Sequence, residues 1–245
     1  MPCDVAIVHV DEEPPAAWSA AVYLCGPTPT DPREPSWRPD AVAALRAGWA
    51  GEGTLAVFVP EPSEGGGYPA YAEQILWEEE AMRLSDVVAF YIPRDMARLP
   101  GLVSNIKWGA WCDSGRAVLG APPEAVRMEY LLHFAGTLGV PVARSVEETA
   151  RAALDLIGPG VHRTAGERAV PLRVWHTGPF QQWYAQRRAA GDRLIDAHVE
   201  WYAPPAEWLL TVTVEPAGSA GSVGPAGSGP VRTRLLSAQG QGMLM

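Results

Sequence analysis

Between residues 20 and 158, five short apolar runs alternate with stretches of helical spacing, and this alternation limits the possible folds more than any other feature. The runs are AAVYL (20–24), TLAVFVP (54–60), DVVAFYIP (86–93), AVLGAP (117–122) and VPVA (140–143). A strand that is apolar throughout has no polar face to show to water, so both its faces must be covered. Between the runs, Ser36 can cap a helix from Trp37 to Leu45, and 71–84 carries helical spacing at Ile75, Leu76, Met82 and Leu84. A further helix is expected over 125–138, and the segment from Ser145 opens with the Ser145/Glu148 capping box. Strands alternating with helices predict an α/β domain over 20–158, a parallel sheet with helices on both faces.

The bulk numbers exclude several functions. With 245 residues, 47% hydrophobic content and ten tryptophans, the chain is long and apolar enough for a packed core. Its net charge of −9 comes from 28 acidic against 19 basic residues, with no continuous basic stripe, so no nucleic-acid partner is expected. The start, MPCDVAIVHVDEEPP, has no positive region and too short an apolar run for a signal peptide. No stretch reaches the roughly 18 apolar residues of a membrane span, so no membrane partner is expected either. Three cysteines (Cys3, Cys25, Cys112) without metal spacing fit reduced thiols in a cytoplasmic protein, with Cys25 and Cys112 as small core residues. His9, His133, His162, His176 and His198 are scattered, and no metal or other cofactor is expected. Gly65-Gly66-Gly67 lacks the Lys-Ser/Thr of a phosphate loop and could serve instead as a flap over a pocket.

The flanks read differently. Residues 1–19 form an N-terminal extension. Residues 165–215 form a small appendage rich in Trp and Arg, with a helix near 180–190 and a strand at 208–214. Residues 216–245 include AGSAGSVGPAGSGP (217–230), a low-complexity tract with too little apolar surface to offset its ordering entropy, and the tail is expected to be mostly disordered.

Lys107 is the only lysine; the other 18 of the 19 basic residues are arginine, as codon bias in a GC-rich genome would produce. It follows the loop that leaves the 86–93 strand, where open α/β sheets bind ligands, in a helix expected to open at Ser104. A cation in that first turn opposes the helix dipole, and Ser104-Asn105-Ile106-Lys107 has the S-x-x-E capping register with the glutamate replaced. Lys107 is either a side chain drifting out to solvent at a dead site, or a desolvated amine acting as base, imine former or phosphate contact. Glu78 lies in the Glu78-Glu79-Glu80 run, which is either a solvated helix face or supplies one inward carboxylate. Tyr23 at a strand end is either core or a positioning group. Arg38 and Arg94 either hold an anion or form surface ion pairs. Asp86 on its own reads as a strand start.

Taken in order, V-Y-L-C-G-P, S-W-R-P-D, Q-x-x-W-E, D-V-V-A-F-Y-I-P-R, P-G-L-V-S-N-I-K-W-G and S-G-R-A-V-L-G-A-P resemble the nucleoside 2-deoxyribosyltransferase-like family over about residues 20–150. The resemblance implies a flavodoxin-like fold and transfer or hydrolysis at an N-glycosidic bond, in which a carboxylate attacks the anomeric carbon and a second base or water takes the sugar. It implies that Tyr23 orients the nucleophile and that Glu78 faces the base as acid or hydrogen-bond partner. The nucleophilic glutamate falls at Lys107, and an ammonium cannot form the glycosyl ester. The substrate-binding positions it implies are Gly26, Pro27, Arg38, Asp86, Arg94 and Asn105, for a nucleoside or nucleotide, in a homo-oligomer. Residues 170–202 resemble the lead-in to bacterial Nudix hydrolase modules, but the glutamates of a Nudix motif do not follow, so a separate Nudix enzyme is the partner that this resemblance implies. The alternative to catalysis is a binding or partner-docking module.

Overall fold

The computed structural model describes residues 4–29, 31, 33–160, 163–164, 167, 169–175, 177–202, 207–217, 231–238 and 241–244. Cys3, His162, His176 and residues 218–230 of the low-complexity tract lie outside them. The chain divides into two compact units, residues 1–165 and 166–245.

The first unit runs β1 (Asp4–His9), β2 (Ala17–Trp18), β3 (Ala20–Cys25), α1 (Arg38–Gly48), β4 (Thr54–Val59), α2 (Tyr71–Leu84) and β5 (Val87–Tyr91). It continues through α3 (Leu102–Trp111), β6 (Ala117–Gly120), α4 (Glu129–Leu138), β7 (Val142–Ala143), α5 (Val146–Ile157) and β8 (Arg163–Thr164). Six strands form one sheet in the order β1-β4-β3-β5-β6-β7, every neighbouring pair parallel. Without β1 this is the flavodoxin-like order, and the switch point falls between β3 and β5. β3 is buried at every position, as its unbroken apolar run requires. Ala21, Tyr23 and Cys25 point into a cluster with Met82 of α2, Trp108 of α3 and Leu131 of α4. The alternate residues of β3 point to the opposite face, where α1 packs on α5.

Two expectations about this unit change. The segment read as an N-terminal extension contributes β1, which pairs along β4 from Asp4–Thr54 to His9–Val59, and β2, which pairs with β8. An isolated run of four apolar residues, Val5 to Val8, is a strand only once a sheet edge is there to receive it, and β4 offers that edge. Asp86, named as a substrate contact, precedes β5 at its N-terminal end, about 17 Å of strand away from the C-terminal edge where the other named residues cluster. It is 1% exposed; its Oδ2 accepts a hydrogen bond from the Ala21 backbone N–H at 2.7 Å, and its own N–H donates to the Ala21 carbonyl at 2.8 Å. This carboxylate joins the start of β5 to β3.

The second unit holds α6 (Leu172–Trp175), α7 (Gly178–Ala189) and a four-stranded antiparallel sheet, β9 (Arg193–Tyr202), β10 (Glu207–Glu215), β11 (Val231–Ala238) and β12 (Gln241–Leu244). The tail read as disordered therefore contains two strands. β11 pairs with β10 from Trp208–Ser237 to Val214–Val231, because Val231, Thr233 and Leu235 supply β-forming residues next to the apolar β10. Four aromatic residues of this Trp-rich appendage pack internally. Trp175, Phe180, Trp183 and Tyr184 are buried, with the Trp175 and Tyr184 rings 4.7 Å apart and Tyr184 Oη donating to Glu167 at 3.0 Å. Among the described residues, no helix is long and apolar enough to cross a membrane.

Asp86→Ala removes the acceptor for a buried N–H and is expected to cost about 1 to 3 kcal/mol in urea unfolding while leaving ligand binding unchanged. A loss of binding larger than the loss of stability would return Asp86 to the site.

Candidate functional site

At the switch point, β3 ends at Cys25 and the chain turns through Gly26 and Pro27. A Cβ at Gly26 would lie 2.1 Å from the Tyr91 carbonyl and 2.7 Å from the Trp37 ring, so only glycine lets the ends of β3 and β5 approach this closely. Trp37 packs on Tyr91 with ring centres 5.2 Å apart and donates Nε1–H to the Pro27 carbonyl at 3.2 Å. Arg38, at the first position of α1, is 1% exposed. Its Nε donates to the Leu24 carbonyl at 3.3 Å and its Nη2 to the Gly26 carbonyl at 2.8 Å. Its Nη1 donates to Thr28 Oγ1 at 3.1 Å and to Glu61 Oε1 at 2.5 Å. Four of its five N–H donors are thus engaged. Arg38 braces the loop after β3, and the anion it grips is the Glu61 carboxylate.

Lys107 reaches back across the cleft. Its Nζ donates to Glu78 Oε2 at 2.6 Å and to Tyr23 Oη at 3.2 Å. The Lys107 and Glu78 side chains are 17% and 12% exposed, so the pair is largely desolvated. Gln74, one turn earlier on α2, donates Nε2–H to Glu78 Oε1 at 3.3 Å. Trp77 packs its ring 6.5 Å from Tyr23 and 6.1 Å from Phe58, which fixes the turn of α2 that carries Glu78. Glu79, by contrast, is half exposed and pairs at 4.0 Å with Arg83. The structure thus brings Tyr23, Glu78 and Lys107 together, each from a different element.

The helix carrying Lys107 opens two residues earlier than its sequence suggests. Gly101, in the left-handed region at φ 62°, is the N-cap of α3, so Ser104 lies inside the first turn and Lys107 in the second. The capping-box register at Ser104 is therefore not used, and the helix-dipole penalty on Lys107 is correspondingly weak. A glycine's backbone angle decided the start, and no side chain announces it.

Arg94 and Asn105 do not join this group. Arg94 Nη2 donates to Asn105 Oδ1 at 2.5 Å and Nη1 to the Arg127 carbonyl at 2.8 Å. Asn105 and Lys107 are two residues apart on α3 and so face different sides of the helix. Both Arg94 and Asn105 line a separate pocket beside α4.

Of three further residues near the site, Glu61 and Tyr68 were not anticipated, and Gln74 entered only as the first residue of the Q-x-x-W-E motif. Glu61, just past the end of β4, holds Arg38 and accepts from Ser36 Oγ at 2.9 Å. Tyr68, in the loop before α2, lies close enough to Glu61 and Glu78 for both charges to raise its pKa, after the larger effect of burial. Gln74 is four residues before Glu78, a spacing that could have flagged it. Glu61 also follows the rule that ligand-side residues sit just past parallel strands. Among the described residues, no group of three His, Cys, Asp or Glu could hold a metal ion.

Burial dominates the titration of β3. It holds the Tyr23 phenol well above its ordinary value, with Cys25 and Glu78 adding to the effect and Arg38 opposing it. Burial also pushes the Cys25 thiol up from 9.0 to about 11, against the pull of the Lys107 and Arg38 charges. A folded-state pKa above the unfolded one makes the folded chain bind more protons, so stability is full below pH 9 and falls as pH rises towards 11. The thiol's share of that loss is about 2 to 3 kcal/mol. Urea unfolding at steps between pH 8 and 11 is expected to show Cys25→Ala losing less stability than the parent by about that amount. Parallel curves would contradict the assignment.

None of the curated proteins matches this chain. Residues 19–125, from the residue before β3 through the loop after β6, match the family model described as nucleoside 2-deoxyribosyltransferase like.

Proposed function

We propose that the cleft framed by Tyr23, Glu78 and Lys107 binds a nucleoside or nucleotide and does not form a glycosyl ester. The observation that carries this reading is the 2.6 Å ion pair between Lys107 and Glu78, at the position where the resemblance calls for a nucleophilic glutamate. An ester intermediate needs a free carboxylate facing the anomeric carbon. Lys107 has none to offer. Glu78 has its charge offset by the ammonium on one oxygen and takes an amide N–H from Gln74 on the other. Both interactions lower its nucleophilicity.

The same groups suit recognition. Lys107 has three N–H donors, of which Glu78 and Tyr23 take two, leaving one for a sugar hydroxyl or a phosphate oxygen. Glu78 retains lone pairs for an exocyclic amine of a base. The base, sugar and phosphate state would be set by such contacts and by the loop carrying Tyr68. Homo-oligomer formation and a Nudix partner are carried by sequence resemblance alone, and neither is needed for this reading.

A panel of nucleosides and nucleotides decides the matter in two measurements. Free base is followed by HPLC, and the melting temperature by a thermal shift assay. The parent chain is expected to release no base while at least one ligand raises Tm, by about 2.7 kcal/mol of stabilisation at a hundredfold excess over Kd. Lys107→Glu restores a carboxylate and is expected to release base at least a hundredfold faster than the parent. Base release by the parent would overturn the proposal, and so would a panel that leaves Tm unmoved.

A further inference from the structure

On the side of α3 away from Lys107 lies a pocket of about 490 Å³ between α3 and α4. Leu102, Trp108, Tyr130, Leu131 and Phe134 make most of its wall apolar and aromatic. Leu102 and Tyr130 are 65% and 79% exposed, so these faces are uncovered in the monomer. The volume lies within the range that holds a small organic ligand.

Arg94 sets the chemistry of this pocket. It is 5% exposed, and burial opposes its charge. Its guanidinium is held by neutral acceptors, the Asn105 amide oxygen and the Arg127 carbonyl, and its Nε has no hydrogen-bond partner. Glu129 acts on it at a distance, and among the described residues no carboxylate lies within ion-pair reach. A buried cation without a counter-charge is costly and uncommon. The pocket lining contains two arginines, Arg94 and Arg127, and no acidic residue, on a chain of net charge −9. Arg127 also holds a left-handed backbone at φ 54°, which a non-glycine residue adopts at a cost, and its carbonyl is the one that fixes Arg94.

We infer that the α3–α4 pocket is a second ligand site, for a small aromatic or apolar carboxylate whose anion pairs with Arg94 while its body lies on Tyr130 and Phe134. A second copy could serve Arg94 only by bringing a carboxylate of its own to a residue that is 5% exposed, which a small anion reaches more readily. A neutral apolar ligand would leave the guanidinium unpaired. The site is independent of the nucleoside reading, since it uses the opposite face of α3.

Isothermal titration of the full chain with 2-naphthoate and with its neutral isostere 2-naphthamide tests this. The carboxylate is expected to bind at one site at least tenfold more tightly than the amide, and Arg94→Met to abolish that preference. Gly109 lines the pocket, and a Cβ there meets no atom within 4 Å, so Gly109→Phe fills the space without strain. That variant is expected to weaken 2-naphthoate binding at least tenfold even if Arg94→Met fails to fold. Equal affinity for the two probes, no binding, or binding unchanged by Gly109→Phe would overturn the inference. Sedimentation showing a dimer that Gly109→Phe dissociates would overturn it too, in favour of a second copy.

Discussion

The Lys107 ammonium ties three separate elements at one point: α3, which carries it, α2 through Glu78, and β3 through Tyr23. Both charged side chains are more than four-fifths buried, so removing either partner would leave an uncompensated charge at a cost of about 3 to 5 kcal/mol. The pair therefore acts as a structural joint and as the chemical centre of the cleft. It holds α2 and α3 over the end of β3, at the position where the sequence resemblance places a nucleophilic glutamate.

The rest of the site is built to keep that joint in position. Gly26 allows the ends of β3 and β5 to close on each other, and Trp37 seals the approach. Arg38 then locks the loop after β3 through two backbone carbonyls, Thr28 and Glu61. Trp77 wedges between Tyr23 and Phe58, so the orientation of Glu78 follows from core packing and not from the ion pair alone. The buried phenol and thiol of β3 remain protonated through the neutral range, which leaves Lys107 and Glu78 as the charges at the centre of the cleft.

Much of this was legible in the sequence where a pattern is local. The helix over 71–84 has the same bounds in the structure, because its spacing is bounded by a Gly/Pro loop and by a strand. The Ser145 cap is also used, its side chain accepting from the Glu148 N–H. Features that depend on distant partners were not legible. β1 needed the edge of β4, and β11 needed β10. The start of α3 turned on the backbone angle of Gly101. Arg94 and Asn105 were grouped with Lys107 because they share a loop and a helix, although a spacing of two residues already argued that Asn105 and Lys107 face different ways. The contact between Glu78 and Lys107 spans 29 positions and has no local signal; Lys107 stands out as the lone lysine after a strand end, while the choice of Glu78 within its acidic run rests on the family resemblance.

Because Lys107 is the only lysine, ¹⁵N- and ¹³C-labelled lysine gives one side-chain ammonium signal and reports on the joint directly. The account predicts that this signal lies away from the position of solvated lysine, that Glu78→Gln moves it, and that a nucleoside or nucleotide that raises Tm moves it again. A signal at the solvated position, unmoved by either change, would contradict the claim that Lys107 and Glu78 form the centre of a ligand site.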